Sequence, residues 1–195
     1  MDYPAFFDKI EPIVLYDELS KFLGTTGDGI VNISYLEIVK MAGHSCATVS
    51  GAYLMAAKGL KALYGDKTPI RGEIKVEIRE PLTAGNTGVV GTVLSNITGA
   101  TSDFGFGGLQ GRFNRRGLLF YGADIEHNVR LTRLDNGKSV EVAYKPHSIV
   151  NPKEIMMSYF GPDATEESKK TFPSRWQEMV KTIFENADKI LDVKS

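Results

Sequence analysis

Val129-Arg130-Leu131-Thr132-Arg133-Leu134-Asp135-Asn136-Gly137-Lys138-Ser139-Val140-Glu141-Val142-Ala143-Tyr144 carries the clearest topological signal in this chain. On either side of Asp135-Asn136-Gly137, apolar and polar residues alternate, the pattern of a strand with one buried and one wet face. Two such runs joined by an Asp-Asn-Gly turn are an antiparallel hairpin.

Working outward, Glu73-Ile74-Lys75-Val76-Glu77-Ile78-Arg79 alternates just as strictly and is closed by Pro81, which predicts another half-buried strand. Leu118-Leu119-Phe120-Tyr121 predicts a short one. Between these strands and beyond them, the periodicity is helical. Val49, Tyr53, Ala56, Leu60 and Leu63 recur at steps of three and four, with Gly65 as the stop. Gly51, Ala52, Ala56, Ala57 and Gly59 make that helix slim enough for close backbone packing. Ser34 followed three residues later by Glu37 is a capping box opening a helix that carries Leu36, Ile38, Val39 and Met41. Val90, Val93, Leu94 and Ile97 give a helix over 86–98 despite Gly88 and Gly91. Tyr3 to Leu23 reads as a helix interrupted by Pro12 and stopped by Gly24. Ile155 to Tyr159 predicts a short helix. Asp163-Ala164-Thr165-Glu166 starts a long C-terminal one with the stripe Phe172, Trp176, Met179, Ile183, Ala187 and Ile190, kinked or restarted at Pro173. Helices, strand, helix, strands, helices is an α+β order, with a mostly antiparallel sheet and packed helices. The expected organisation is a core over 1–150 with an N-terminal helical segment, followed by a helical extension over 151–195 that packs on the core or on a partner subunit.

The composition is that of a globular protein: 42% of the 195 residues are hydrophobic and 24% charged. A net charge of −1 argues against a general nucleic-acid or anionic-membrane binder. The single cysteine rules out an intrachain disulfide. No apolar run approaches the roughly 20 residues that span a bilayer. Met1-Asp2-Tyr3-Pro4 lacks a basic region leading into an apolar stretch, so a cytoplasmic protein is expected.

The chemistry-bearing motif is Gly43-His44-Ser45-Cys46, at the junction of two helices. Imidazole nitrogen and thiolate sulfur are the usual zinc donors, and donors one residue apart converge if the backbone between the helices is turned or extended. A metal site wants three or four ligands. His127, His147, Asp103 and Asp124 are the residues able to add to the pair. The bland alternative is a buried cysteine beside a helix-capping histidine. A thiol nucleophile with His44 as base is a third. A second motif, Gly105-Phe106-Gly107-Gly108-Leu109-Gln110-Gly111-Arg112, fits neither the dinucleotide fingerprint nor a Walker loop. With Arg112, Arg115 and Arg116 it could clamp a phosphate or carboxylate, or be a plain glycine loop with solvated arginines. Glu166-Glu167 suits a helix N-terminus, and the Trp176 stripe suits a core or an interface.

These pieces, over roughly residues 30 to 190, resemble the FmdE-like family, which comprises the E-type subunits of formylmethanofuran dehydrogenase and their stand-alone relatives. Gly43-His44-Ser45-Cys46 matches the family's Gly-His-x-Cys, with Ala47-Thr48 where the family has Pro-Gly. Thr98-Gly99-Ala100-Thr101 matches its Thr-Gly-Cys-Thr with alanine for cysteine, and Gly111-Arg112-Phe113-Asn114, after an insertion, its Gly-Lys-Gly-Asn. The resemblance implies an α+β fold, a homodimer, and zinc or another divalent transition metal near His44 and Cys46. With Ala100 unable to ligate, Asp103 is the first choice to replace the missing thiolate and His127 a further one. The expected function is metal binding, with a small anionic ligand held nearby by Arg112, Asn114 and Arg115. The alternatives are a metal-free small-molecule-binding or accessory subunit that uses the glycine-arginine loop for recognition, and an oligomerisation partner that uses the Trp176 helix.

Overall fold

The computed structural model describes residues 2–195. After a 3-10 turn at Ala5–Lys9 come β1 (Ile13–Tyr16), α1 (Glu18–Phe22), β2 (Ile30–Ile33), α2 (Tyr35–Ala42) and α3 (Ala47–Tyr64). Next are β3 (Ile74–Ile78), α4 (Thr87–Thr98), β4 (Leu119–Tyr121), β5 (Val129–Arg133) and β6 (Ser139–Tyr144). The chain ends with α5 (Pro152–Phe160), α6 (Glu166–Glu185), α7 (Ala187–Ile190) and β7 (Leu191–Lys194). The architecture is α+β, as the order of sequence signals implies.

The main sheet has the order β4-β3-β5-β6-β7. The hairpin forms as the alternation dictates, with Val129 opposite Val142 and Leu131 opposite Val140. Gly137 takes the left-handed φ of +71° that the turn requires. Ile74, Val76 and Ile78 face the core from β3, and β3 pairs antiparallel with β5 and parallel with β4 across the α4 connection. The other face is wet and charged. There Arg130 grips Glu77 with two hydrogen bonds of 2.8 Å each across the strand pair. Those bonds, outweighing burial, hold the Glu77 carboxyl below its usual pKa.

α3 lies on the inner face, and its small residues explain how close it comes. A Cβ on Gly51 would sit 2.3 Å from the Tyr144 ring, and one on Gly59 would sit 2.7 Å from Leu131. α6 packs beside α3 through Met179, Val180 and Ile183. Pro173 lies inside α6 without ending it, and the N-cap is Thr165, in a reciprocal box with Ser168.

Two segments differ from the helical expectation. Residues 3–23 are not one broken helix, because Ile13 and Leu15 are buried while Val14 is exposed, a period of two rather than 3.6. They form β1, antiparallel to β2, and only a 3-10 turn and the short α1 are helical. At the C-terminus, Leu191–Lys194 leave the helix and add β7 to the edge of the sheet, with Leu191 opposite Tyr144. Four mixed residues are too few to show a periodicity.

Candidate functional site

Gly43 ends α2 in the left-handed conformation (φ +77°), and its amide closes on Val39 O. Of the three residues before α3, Ser45 is pinned from the core side. Ser45 is buried and its hydroxyl lies 2.9 Å from the Tyr35 hydroxyl. Its carbonyl accepts from Trp176 Nε1 at 3.0 Å and from Gln177 Nε2 at 3.3 Å. Just inside α3, the Tyr144 hydroxyl donates to Ala47 O at 2.9 Å. Burial pushes the Tyr35 and Tyr144 phenols well up, so both stay neutral hydrogen-bonding groups.

With Ser45 turned inward, its neighbours face outward: His44 is exposed and Cys46 partly so. That alternation is what an extended segment gives, and Cys46 is extended at φ −153°, ψ 176°. Cys46 also caps α3, its Sγ accepting from Val49 N–H at 3.5 Å. His44 Nδ1 lies 3.0 Å from Ala42 O. A carbonyl can only accept, so the neutral ring carries its proton on Nδ1 and its lone pair on Nε2. α4 runs parallel to α3 with its start alongside, Asn86 Nδ2 donating to Thr48 Oγ1 at 3.2 Å. Two helix N-termini therefore lie together at this end, a field that favours negative charge.

The other residues singled out by sequence lie elsewhere. Ala100 follows the C-terminus of α4, the whole twelve-residue length of that helix, about 18 Å, beyond the end that lies beside Thr48, and it is fully buried. Asp103 is exposed just beyond it, at that far end. His127 turns its Nε2 to Asp192 of β7 at 3.7 Å. His44 and Cys46 are neighbours along the backbone before α3, and neither is grouped with Asp103 or His127. Among the described residues there is no group of three or more His, Cys, Asp or Glu side chains arranged to hold a metal ion.

The glycine-arginine segment folds as a tongue. Leu109 and Arg112 exchange backbone hydrogen bonds around Gln110 and Gly111, both at positive φ, a type I′ tip. Its polar side chains are occupied within the chain. Arg112 pairs with Glu18 at 2.6 Å, and Arg116 Nε donates to Gly105 O at 2.6 Å. Asn114 Nδ2 donates to Arg116 O. Arg115 is buried and donates to Asp17 Oδ1 at 2.8 Å, while Arg71 donates to Asp17 Oδ2 at 2.9 Å. Arg71 also caps α4 by donating to Asn96 O and Ile97 O. Arg115 lies against Gly72 so closely that a Cβ there would meet Nη1 at 1.5 Å. Asp17 is the residue that sequence reasoning missed. It was hidden in a segment read as helix, and no local pattern marks a carboxylate whose partners are 54 and 98 residues away.

No family model matches the chain, and no curated protein matches it.

Proposed function

We propose that this chain is a metal-binding protein of the FmdE-like type, in which His44 and Cys46 hold a divalent transition metal, zinc first. The observation that carries the proposal is the tautomer lock on His44. A metal-bound histidine normally donates its other ring N–H to a carbonyl or carboxylate, and Nδ1 of His44 already does so to Ala42 O, leaving the Nε2 lone pair for a metal. The donor types fit a borderline-soft metal, and the paired helix N-termini suit an anionic sulfur.

Two protein donors make an open site. The remaining positions fall to water, to a small anionic metabolite, or to the same pair from a second copy, and a homodimer is part of the proposal. When bound there, a metal would act as a Lewis acid toward such a ligand. The chain's own part is to hold the donors still: Ser45 is clamped by Tyr35, Trp176 and Gln177, and the peptide after Cys46 by Tyr144.

Metal analysis after zinc loading and desalting tests this, read alongside the emission of Trp176, the only tryptophan, which bonds the residue before Cys46. Wild type should retain about one metal per chain or per dimer. His44→Ala and Cys46→Ser should each weaken binding about tenfold or more, whereas Asp103→Ala and His127→Ala should not. Sedimentation of the loaded and metal-free protein reads the dimer. Substoichiometric metal, equal in wild type and in the His44→Ala/Cys46→Ser double variant, would refute the proposal.

A further inference from the structure

Among the described residues, α5 is the one longer helix that buries none of its own side chains. Its inner face is held to α6 and the core. Ile155 packs on the core, Ser158 O accepts from Ser168 Oγ at 2.6 Å, and the Tyr159 ring meets Phe172 at 5.1 Å between centres. Lys153, Met156, Met157 and Phe160 lie at i, i+3, i+4 and i+7, so they form a second stripe on the side turned away from Ile155 and Ser158. Met156 is 39% exposed, Met157 49% and Phe160 70%. An outward helix face is normally polar, and a contiguous apolar one marks an interaction surface.

The two ends of the stripe decide which partner fits. Lys153 stands at the N-terminal end, while Phe160, the last helix carbonyls and Asp163 stand at the C-terminal end. Lys153 and Asp163 are exposed, and neither makes an ion pair among the described residues. An antiparallel copy of the same helix, about a two-fold axis between Met156 and Met157, sets each Lys153 against the partner's Phe160 and the partner's Asp163. Thioethers then meet at the centre, and an ammonium meets an aromatic ring, a helix C-terminus and a carboxylate at both ends. Glu154 lies off the stripe, on the flank that shares a groove with Arg175 of α6. The paired stripes therefore hold no unmatched charge.

We propose that the chain self-associates through this face, α5 against α5 of a second copy. The proposal rests on the homodimer reading above and gives it a surface, and it does not depend on metal. Nine residues of helix are about 13 Å long, so the contact falls below roughly 1,200 Å² and the dimer is reversible, with a Kd of about 10 μM.

Sedimentation velocity of the full, metal-free chain between about 1 and 200 μM is the test. Wild type should pass from monomer to dimer across that range. Phe160→Asp, on an exposed side chain, should raise Kd about tenfold or more with Tm unchanged, and Met157→Lys gives the same reading if Phe160→Asp fails to fold. Lys153→Glu and Asp163→Lys should each weaken the dimer about five-fold, and the double variant, which again sets opposite charges across the axis, should recover it. His44→Ala/Cys46→Ser should dimerise as wild type does, so absent metal with an intact dimer sinks the metal reading alone. The self-association proposal is overturned if wild type stays monomeric throughout, which would leave the stripe to a different protein. It is also overturned if the folded stripe variants dimerise like wild type, or if the charge-reversed double variant is no better than its singles.

Discussion

Replacing Asp17 by asparagine probes the buried charge cluster that ties α1 to the tongue. Asp17 is 4% exposed and Arg115 6%, so solvent cannot take over as the counter-charge. One oxygen of Asp17 receives Arg115 and the Ser20 amide, the other receives Arg71. Arg115 Nη1 already lacks an acceptor. The asparagine side chain keeps the size but leaves a buried guanidinium without its counter-charge, a change that costs about 3–5 kcal/mol. Because the amide oxygen still accepts one bond, the lower end, about 3 kcal/mol, is expected. That is a large part of the roughly 5–15 kcal/mol that a domain has. Burial alone would raise the Asp17 pKa. The Arg71 hydrogen bond, the Ser20 amide and the charges of Arg115 and Arg71 more than offset it, and the net shift is downward. A depressed folded pKa gives stability that is fully present above the unfolded carboxylate value of about 4 and lost as pH falls through the folded one. Urea unfolding at pH 7 and pH 3 should therefore show a large wild-type advantage at pH 7 that narrows at pH 3. Adding Arg115→Met removes the stranded charge, so the double variant should be more stable than Asp17→Asn alone. A loss below about 1 kcal/mol at pH 7, or a double variant as weak as the sum of the singles, would refute the reasoning.

Other outcomes follow from single contacts. Gly51→Ala drives a methyl into the Tyr144 ring and should cost about 1–3 kcal/mol, read as a lower Tm, and adding it to Tyr144→Ala, where the ring is gone, should cost less than it does in wild type. Trp176→Phe removes the bond to Ser45 O and should cost about 1 kcal/mol by urea unfolding; Gln177 remains on that carbonyl, so the protein should stay folded. Glu77→Gln breaks the paired grip of Arg130 on the wet face and should cost about 1 kcal/mol at pH 7. Because the Glu77 pKa is lowered, that cost should fade as pH drops below about 4.

The parts of the fold visible in the sequence are those decided by neighbours along the chain. Alternation at Glu73–Arg79 and Val129–Tyr144, the Ser34 capping box and the spacing from Val49 to Leu63 are each complete within one segment, and each became the predicted element. β1 and β7 were not visible because each is four residues long and owes its conformation to a partner strand. The motif at His44 and Cys46 was visible as residue types. Its geometry was not, since it rests on Tyr35, Tyr144, Trp176 and Gln177, up to 132 residues away. Arg112 and Arg115 were visible as cations. Their carboxylate partners, Glu18 and Asp17, come from a segment that the sequence pattern assigned to a different element.

The parallel packing of α3 and α4 separates what the sequence offered as one site. Because the two helices start together at Thr48 and Asn86, the stretch that directly follows α4, from Ala100 through the tongue, begins at the opposite end of the pair. Cys46, at the positive ends of both helices, meets an environment that favours negative charge. Arg71 and Arg115, at the C-terminus of α4, meet exposed carbonyls and the Asp17 carboxylate, an environment that favours cations. Donors at one end and guanidiniums at the other are thus what the helix dipoles favour. An anion drawn to His44 and Cys46, the pair proposed to hold a metal, would find main-chain amides there, not the tongue's arginines. Charge reversal at Arg112 should therefore leave metal affinity at His44 and Cys46 unchanged, and a coupled loss would mean that the tongue reaches the site after all.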